Sequence, residues 1–294
     1  MYKILRLLPE NISSNILEIN HKNGIEEIRL NVGKKLRIIV QGKEIIKSYI
    51  VTNEDIKTII QKISNYSLYA IEEEIKQGYI TIEGGHRVGI AGQCVIENKM
   101  IKTIKHISSL NIRVAREIIG CSDKVMKYIF SNGRIKNTLI ISPPRCGKTT
   151  LLRDISRNIS DGYSRLSLKG RRVVIIDERS EIASCYRGIP QMKVGERTDV
   201  YDNCLKSEGL IMAIRTMSPD VIICDEIGSK SDIDGIIMAY NSGVNVICTL
   251  HGNDIEDLYK REVFKNILSQ GLIEKVIVLN SKNGAGNIEA VYDV

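Results

Sequence analysis

The sequence predicts an α/β protein in which a C-terminal domain, built on a mostly parallel sheet, follows a smaller N-terminal α+β domain. In the C-terminal part, short apolar runs alternate with helical patterns, and this alternation is typical of parallel strands with helices on both faces of the sheet. In the N-terminal part, tight turns separate the strand patterns instead. The length of 294 residues accommodates two domains of about 150 residues each.

Three strand patterns open the N-terminal domain. They cover residues 25–30, 36–40 and 44–46, and Gly33 and Gly42 mark the turns between them. The repeated change between strand and glycine turn predicts antiparallel pairing of neighbouring segments.

Helical patterns follow, and then further strands. Residues 52–65 predict a helix capped by one of its first two residues, a threonine or an asparagine, and a second helical stretch lies near 69–76. Residues 78–116 predict a β-meander. Within it, the glycine-rich run 84–92 predicts turns or close approach of two backbones.

The character of the sequence changes where Ser122 and Asp123 form a helix cap ahead of an apolar helical pattern. We place the domain boundary at about 117–121, which divides the chain into residues 1–118 and 119–294. Apolar runs in the second part are short enough for buried strands. They lie at 138–142, 172–177, 221–225, 245–250 and 275–279.

The composition argues against several classes of protein: nucleic-acid-binding, zinc-binding, disulfide-rich and membrane-spanning. The net charge is +7 and aromatic residues make up 5% of the chain, with no Trp. Proteins that stack single-stranded bases need aromatic side chains, so no nucleic-acid partner is expected. Seven cysteines without a CxxC pair fit reduced thiols in a cytoplasmic protein better than a zinc site or a disulfide framework. No apolar run is long enough to span a membrane.

The most specific motif is a phosphate-binding loop. It satisfies the pattern G-x-x-x-x-G-K-[ST] at every fixed position except the first, and it stands between an apolar strand pattern and a helical pattern. The candidate nucleotide-binding residues are Ser142, Pro143, Pro144, Arg145, Cys146, Gly147, Lys148, Thr149 and Thr150.

The chemistry of this loop suits ATP with Mg²⁺. Backbone N–H groups of the loop and of the helix start point inward at phosphates, and Gly147 allows close approach because it has no Cβ. Lys148 supplies a positive charge to the β- and γ-phosphates, and the Thr149 hydroxyl is a ligand for Mg²⁺.

Ser142 replaces the first glycine of the pattern. If this position required a positive φ, serine would cost about 1 kcal/mol or slightly more. Pro143 and Pro144 stiffen the loop and are expected to preset its geometry.

Two apolar strand patterns end in paired carboxylates, Asp177 with Glu178 and Asp225 with Glu226. The second pair predicts the metal-binding strand, with Asp225 holding Mg²⁺. Either Glu226 or Glu178 then polarises the attacking water, and the sequence does not choose between them. His251 follows the next strand pattern and is a candidate sensor of the γ-phosphate.

These residues resemble the four sequence boxes of the type II/type IV secretion ATPase superfamily, a RecA-like branch of P-loop NTPases. The Walker A, Asp, Walker B and His boxes correspond to SPPRCGKT at 142–149, IIDER at 175–179, SPDVIICDEIG at 218–228 and TLHGN at 249–253. The resemblance implies a RecA-like P-loop domain and ATP hydrolysis.

A closer resemblance is to the stage III sporulation protein AA family of endospore-forming bacteria. It rests on GGHRVGIAG at 84–92, SPPRCGKTTLLRD at 142–154 and VGERTDVYD at 194–202. In that family serine also opens the loop, whereas Arg145 replaces a usual glycine. The resemblance implies a mother-cell ATPase that works with membrane proteins of a secretion-like channel between mother cell and forespore.

The superfamily resemblance also implies arginines from the N-terminal domain that reach the nucleotide. Arg87, Arg113 and Arg116 are the candidates. If one of them acts across a subunit boundary, activity requires a ring, and the family's usual ring is a hexamer. Two other functions stay open: a RecA-like nucleic-acid motor, and a nucleotide-binding switch or scaffold with little hydrolysis.

Overall fold

The computed structural model divides the chain into two compact units, Met1–Arg116 and Glu117–Val294. The boundary predicted from the sequence lies at the start of the second unit. The structure describes residues 1–19, 24–67, 71–144, 146–280 and 286–294.

The described residues of the first unit form a six-stranded antiparallel sheet in the order β3-β2-β1-β6-β5-β4. Its strands are β1 (Ile25–Asn31), β2 (Lys35–Val40), β3 (Lys43–Ile50), β4 (Tyr79–Ile82), β5 (His86–Glu97) and β6 (Met100–Arg113). Its helices are α1 (Tyr2–Leu5), α2 (Glu10–Leu17), α3 (Asn53–Ile63) and α4 (Glu72–Gln77).

One face of this sheet is apolar because side chains alternate along each strand. Leu36, Ile38 and Val40 of β2 are buried, and they join a core that also contains residues of α2 and α3. Helix α3 begins with a capping box: the Thr52 hydroxyl accepts the N–H of Asp55, whose carboxylate in turn accepts the N–H of Thr52. Of the two predicted caps, Thr52 and Asn53, the structure selects Thr52.

The predicted strands and first helix of this unit are confirmed. The second helix begins at Glu72, and the predicted start near Tyr69 lies outside the described residues. In the glycine-rich run, Gly84 and Gly85 form the β4–β5 turn with φ of 91° and 73°. Gly92 lies instead where two backbones approach closely, because an added Cβ would stand 2.7 Å from the carbonyl oxygen of His106.

In the second unit, the described part of the chain forms a seven-stranded sheet in the order β11-β10-β12-β13-β9-β14-β15. The strands are β9 (Thr138–Ser142), β10 (Val173–Asp177), β11 (Thr198–Asp202), β12 (Val221–Cys224), β13 (Asn245–His251), β14 (Lys275–Asn280) and β15 (Asn287–Asp293), and β7 (Phe130–Ser131) with β8 (Arg134–Ile135) form a separate hairpin. The helices are α5 (Asp123–Ile129), α6 (Lys148–Asp161), α7 (Lys206–Thr216), α8 (Lys230–Asn241), α9 (Ile255–Tyr259) and α10 (Lys265–Ser269).

This sheet is parallel except for β15, and both of its faces are buried. Along β9, Leu139 and Ile141 belong to a core with residues of α7 and α8, whereas Ile140 belongs to a core with residues of α5 and α6. The predicted doubly covered sheet is confirmed, as are its five apolar strands. Strands β11 and β15 were missed because both lie at sheet edges and are only partly buried.

Ser122 was expected to cap α5 with its side chain. It occupies the N-cap position, but its hydroxyl donates to Asp154 Oδ2 at 2.8 Å inside the unit.

Across the described segments of both units, no helix is long and apolar enough to cross a membrane.

The buried His86 makes the stability of the first unit depend on pH. Its Nδ1 accepts the N–H of Ala115 at 3.1 Å, and burial, with help from the chain's amino terminus and Lys3, lowers the pKa of His86 to about 4. The unfolded group titrates near 6.5. Its contribution is therefore fully present above about pH 6.5 and is lost as the pH falls towards 4.

We expect the free energy of unfolding to fall by about 2 kcal/mol between pH 7 and pH 5 because of this histidine. His86→Asn, which keeps an acceptor near the Nδ1 position, is expected to remove most of that loss. Urea unfolding of both proteins, followed by circular dichroism at the two pH values, measures the difference. An identical pH dependence in the variant would contradict the assignment.

Candidate functional site

The phosphate-loop motif begins at the carboxyl end of β9, which is an interior strand of the parallel sheet. Ser142 is the buried last residue of this strand, and Lys148 begins α6. The left-handed conformation is adopted by Gly147, with φ of 81°, at the N-cap of that helix. Ser142 has extended backbone and no positive φ, so serine carries no strain there. Arg145 lies outside the described residues.

The other loop residues surround the start of α6. Pro144 is exposed, Pro143 is half-buried, and the buried Cys146 Sγ lies 3.8 Å from the Pro144 carbonyl oxygen. Thr149 and Thr150 are in the first turn of the helix. The first N–H groups of a helix have no acceptor within it, so these amides are available to an anion.

Lys148 is a nearly buried ammonium group, with 7% of the residue exposed. Its Nζ donates to the Ser142 carbonyl oxygen at 3.0 Å and lies 2.7 Å from His251 Nδ1. Burial lowers the pKa of Lys148, and the charges of Asp225 and Glu226 act in the opposite direction. An imidazole that accepts at Nδ1 carries its proton on Nε2, and this atom lies 3.5 Å from Glu226 Oε2.

Asp225 follows β12 and is held on both carboxylate oxygens. Oδ2 accepts the Thr149 hydroxyl at 3.3 Å, and Oδ1 accepts the Thr249 hydroxyl at 2.6 Å and the Glu226 N–H at 2.9 Å. The Thr249 oxygen also accepts the Glu226 N–H at 2.9 Å. The sequence assigned no role to Thr249, although its place in strand β13, two residues before His251, marks it as a neighbour of the site.

The two candidate glutamates have different surroundings. Glu226 has a φ of 29°, a strained conformation for a residue with a side chain, and its carboxylate lies near His251 and 3.3 Å from Arg179. Glu178 forms an ion pair with Lys206 at the end of β10, which is separated from β9 by β12 and β13. The structure thus brings Glu226, and not Glu178, into the chain of contacts that includes Lys148.

Asp177 binds a different part of the protein, the chain segment that follows β10. It is buried, its two oxygens accept the N–H groups of Glu181 and Ala183 at 2.8 and 2.9 Å, and burial raises its pKa to about 6. Arg153 donates to the carbonyl oxygens of Glu181 and Ile182 in the same segment. Asp177 and Arg153 therefore hold the chain that follows β10 from two sides.

The three predicted arginines all lie in the first unit. The Arg87 guanidinium stacks on the Tyr79 ring at 3.7 Å from its centroid. Arg113 and Arg116 lie 3.7 and 3.5 Å from glutamates of β1. Arg87 and Arg113 are paired across β5 and β6, so these two belong to one polar sheet face.

Comparison with known proteins places these observations in a family context. The model of the family described as "Sporulation stage III, protein AA" matches residues 2–294. Stage III sporulation protein AA of Bacillus subtilis (strain 168) is 43% identical over 295 residues, which cover 100% of this chain and 95% of that protein.

Two solved structures share the fold. The ATPase DotB of Legionella pneumophila superposes with a TM-score of 0.61 at 17% identity, over 91% of this chain and 75% of that one. The pilus retraction motor PilT with bound ADP gives a TM-score of 0.60 at 17% identity, over 91% and 76% of the two chains. The predicted fold, a mostly parallel α/β domain preceded by a smaller antiparallel-sheet domain, is thereby confirmed.

The contacts of Thr249 generate a stability prediction. Thr249→Val keeps the shape of the side chain but removes the shortest of the hydrogen bonds to the Asp225 carboxylate, so we expect the free energy of unfolding to fall by about 2–3 kcal/mol. Thr249→Ser keeps the hydroxyl and loses one buried methyl group, which costs about 1 kcal/mol or less. Urea unfolding measures both variants. A valine variant as stable as the serine variant would show that the hydroxyl contributes nothing.

Proposed function

The chain belongs to the stage III sporulation protein AA family, and from this premise we propose that it is an ATP-hydrolysing secretion-type ATPase. It powers or assembles a membrane-associated channel complex during endospore formation, acting from the mother-cell cytoplasm. Its partners in this proposal are ATP, further copies of itself and membrane proteins of the channel. The observation that carries the proposal is the cluster of Lys148, Thr149, Asp225 and Glu226 at one edge of a parallel sheet.

Phosphate binding follows from the groups at the start of α6. Its first turn is Lys148, Thr149, Thr150 and Leu151, so no acidic side chain opposes an anion there. The helix dipole and the free amides favour negative charge at this end. Lys148 adds a full positive charge in a nearly buried position, where electrostatic interactions are stronger than in water.

The same residues fit a magnesium ion. Mg²⁺ prefers oxygen ligands at 2.0–2.1 Å in octahedral geometry, so adjacent ligands lie about 3 Å apart. Thr149 Oγ1 and Asp225 Oδ2 are 3.3 Å apart, and the second Asp225 oxygen is already oriented by Thr249. The ion, when bound, neutralises charge on the phosphates, while Thr149 and Asp225 hold it.

Glu226 is our choice for the residue that polarises the attacking water. Its backbone is strained, its N–H is tied to Asp225 and Thr249, and His251 lies beside its carboxylate. Glu226 takes a proton from water as that water attacks the γ-phosphate, the bond from the γ-phosphorus to the β–γ bridging oxygen breaks, and ADP leaves. His251 links this carboxylate to Lys148. Glu178 pairs with Lys206 at the end of β10, outside the chain of contacts that includes Lys148.

Hydrolysis is expected to require both Lys148 and Glu226. Lys148→Ala should abolish ATP binding and turnover, whereas Glu226→Gln should keep ATP binding and lower kcat by about 100-fold or more, since loss of a general base has at least that effect. Glu178→Gln is the matched control and should change kcat by only a few-fold.

Phosphate release and binding of a fluorescent ATP analogue measure these effects. If Glu178→Gln lost activity and Glu226→Gln kept it, the role would pass to Glu178. If the wild-type chain bound ATP without turnover at any protein concentration, the chain would be a nucleotide-dependent switch or scaffold.

The ring is a further part of the proposal, in which Arg87, Arg113 or Arg116 reaches the nucleotide of a neighbouring copy in a hexamer. The rate per subunit should then rise with protein concentration. Alanine at the acting arginine should lower it by about 10³-fold or more. Mixing that inactive variant with Lys148→Ala should restore activity, because each contributes the half that the other lacks.

Steady-state kinetics with sizing in the presence and absence of ATP tests this arrangement. A monomer whose rate per subunit does not depend on concentration would exclude the ring. Turnover stimulated by DNA with a steep salt dependence would favour a nucleic-acid motor instead.

A further inference from the structure

The first unit contains a groove of about 740 Å³ that none of the proposed ATP chemistry uses. One wall is formed by α3 with Ile75 and Glu72 of α4, and the other by residues 102–107 of β6. It lies among residues of the first unit, whereas Lys148, Asp225 and Glu226 belong to the second. An inference about it stands whether or not the chain hydrolyses ATP.

The β6 wall of this groove is the edge of a strand. Strand β6 pairs with β5 from residue 100 to residue 113, but with β1 only over 109–113. Within the described residues, no strand covers 100–107 on the β1 side. Successive side chains of a strand point to opposite faces, so a wall made of six consecutive residues presents the backbone edge.

A β-bulge distorts β6 along this edge. The β5–β6 register shifts between Ala91 and Gln93, and His106 adopts a φ of 46°. The bulged backbone passes over Gly92, where an added Cβ would lie 2.7 Å from the His106 carbonyl oxygen. Bulges bend strands and increase their twist. Strand β1 itself ends at Asn31, opposite Ser109, so β6 has no β1 partner before residue 109.

Both walls of the groove contribute apolar side chains. A strand edge opposite a helix, with apolar side chains between them, is the arrangement that accepts an extended peptide by strand addition. The isoleucines that line it are Ile56, Ile60, Ile75, Ile104 and Ile107.

The rim of the groove is basic. Its charged lining residues are Lys57, Lys102 and Lys105 against the single acid Glu72, with His106 beside them. Lys57 and Lys102 contact glutamates outside the groove at 3.9 and 3.0 Å. No ion pair reaches Lys105 from the described part of the chain. The charge therefore favours an acidic occupant.

We propose that this groove binds an extended segment of a partner protein in which apolar and acidic side chains alternate. The segment adds a strand to the free edge of β6, its apolar side chains pack on the isoleucines, and its carboxylates lie at the lysines. A six-residue edge spans about 20 Å, so a segment of six to eight residues fills it.

The probe is a fluorescein-labelled peptide, Glu-Val repeated four times, titrated with the full chain by fluorescence anisotropy. We expect saturable binding that weakens by about tenfold or more in the double variant Lys102→Glu with Lys105→Glu. Lys43→Glu, the same charge change at an exposed position of β3 outside the groove, should alter the affinity by less than about twofold. A Lys-Val peptide should bind at least about tenfold more weakly, and ATP turnover without peptide should be unchanged in all variants.

Hydrogen exchange identifies the binding mode. Peptide binding should protect amides within 102–107, and N-methylation of alternate residues of the peptide should abolish binding because strand addition needs their N–H groups. No binding of the Glu-Val peptide, or equal binding of its N-methylated form, overturns the proposal. Dimerisation that the double variant abolishes would assign the groove to a second copy, and binding to anionic vesicles that it weakens would assign it to lipid; either result also overturns it.

Discussion

The nearly buried ammonium group of Lys148 is the constraint on which the organisation of the second unit depends. Removing a charge from water is costly unless hydrogen bonds and opposite charges compensate it. Here the Ser142 carbonyl and the His251 imidazole bind the group directly, and Asp225 and Glu226 stabilise its charged form. Ser142 and His251 end two strands of one sheet, and Asp225 and Glu226 directly follow a third. The buried charge of Lys148 is therefore stabilised only when the carboxyl ends of these strands lie side by side.

The parallel register of that sheet brings the partners together. His251 lies opposite Ser142 in the β13–β9 pair, and Cys224 lies opposite Cys248 in the β12–β13 pair. Asp225 consequently stands beside Thr249, which fixes one of its oxygens and leaves the other towards Thr149. The strained backbone of Glu226 is tolerated because its N–H is bound twice, and such strain is characteristic of functional positions.

The first unit also contains a local backbone irregularity, the β-bulge at Gly92. Gly92 allows a bulge in the β5–β6 pair, and β1 ends at Asn31, opposite Ser109. Among the described residues, 100–107 of β6 therefore have no strand partner on that side, and part of this edge lines the groove beside α3. Unpaired edges are normally covered or blocked because they invite pairing with another chain. An edge lined by isoleucines and lysines favours pairing with a segment that is both apolar and acidic. The residues that we assign to this partner are different from those that we assign to ATP.

The sequence by itself determined the parts that depend on local pattern: the apolar strands, a helix cap at Thr52 or Asn53, the turn–helix loop around Gly147 and Lys148, and the paired carboxylates at the ends of two strands. It could not choose between Glu226 and Glu178, assign a role to Thr249 or show that Asp177 holds a backbone segment. It also raised a concern about Ser142 that extended backbone removes. These matters depend on which strands are neighbours and on which residues face each other across them. Such contacts join positions far apart in the chain, 103 residues in the case of Lys148 and His251, and only the tertiary structure decides them.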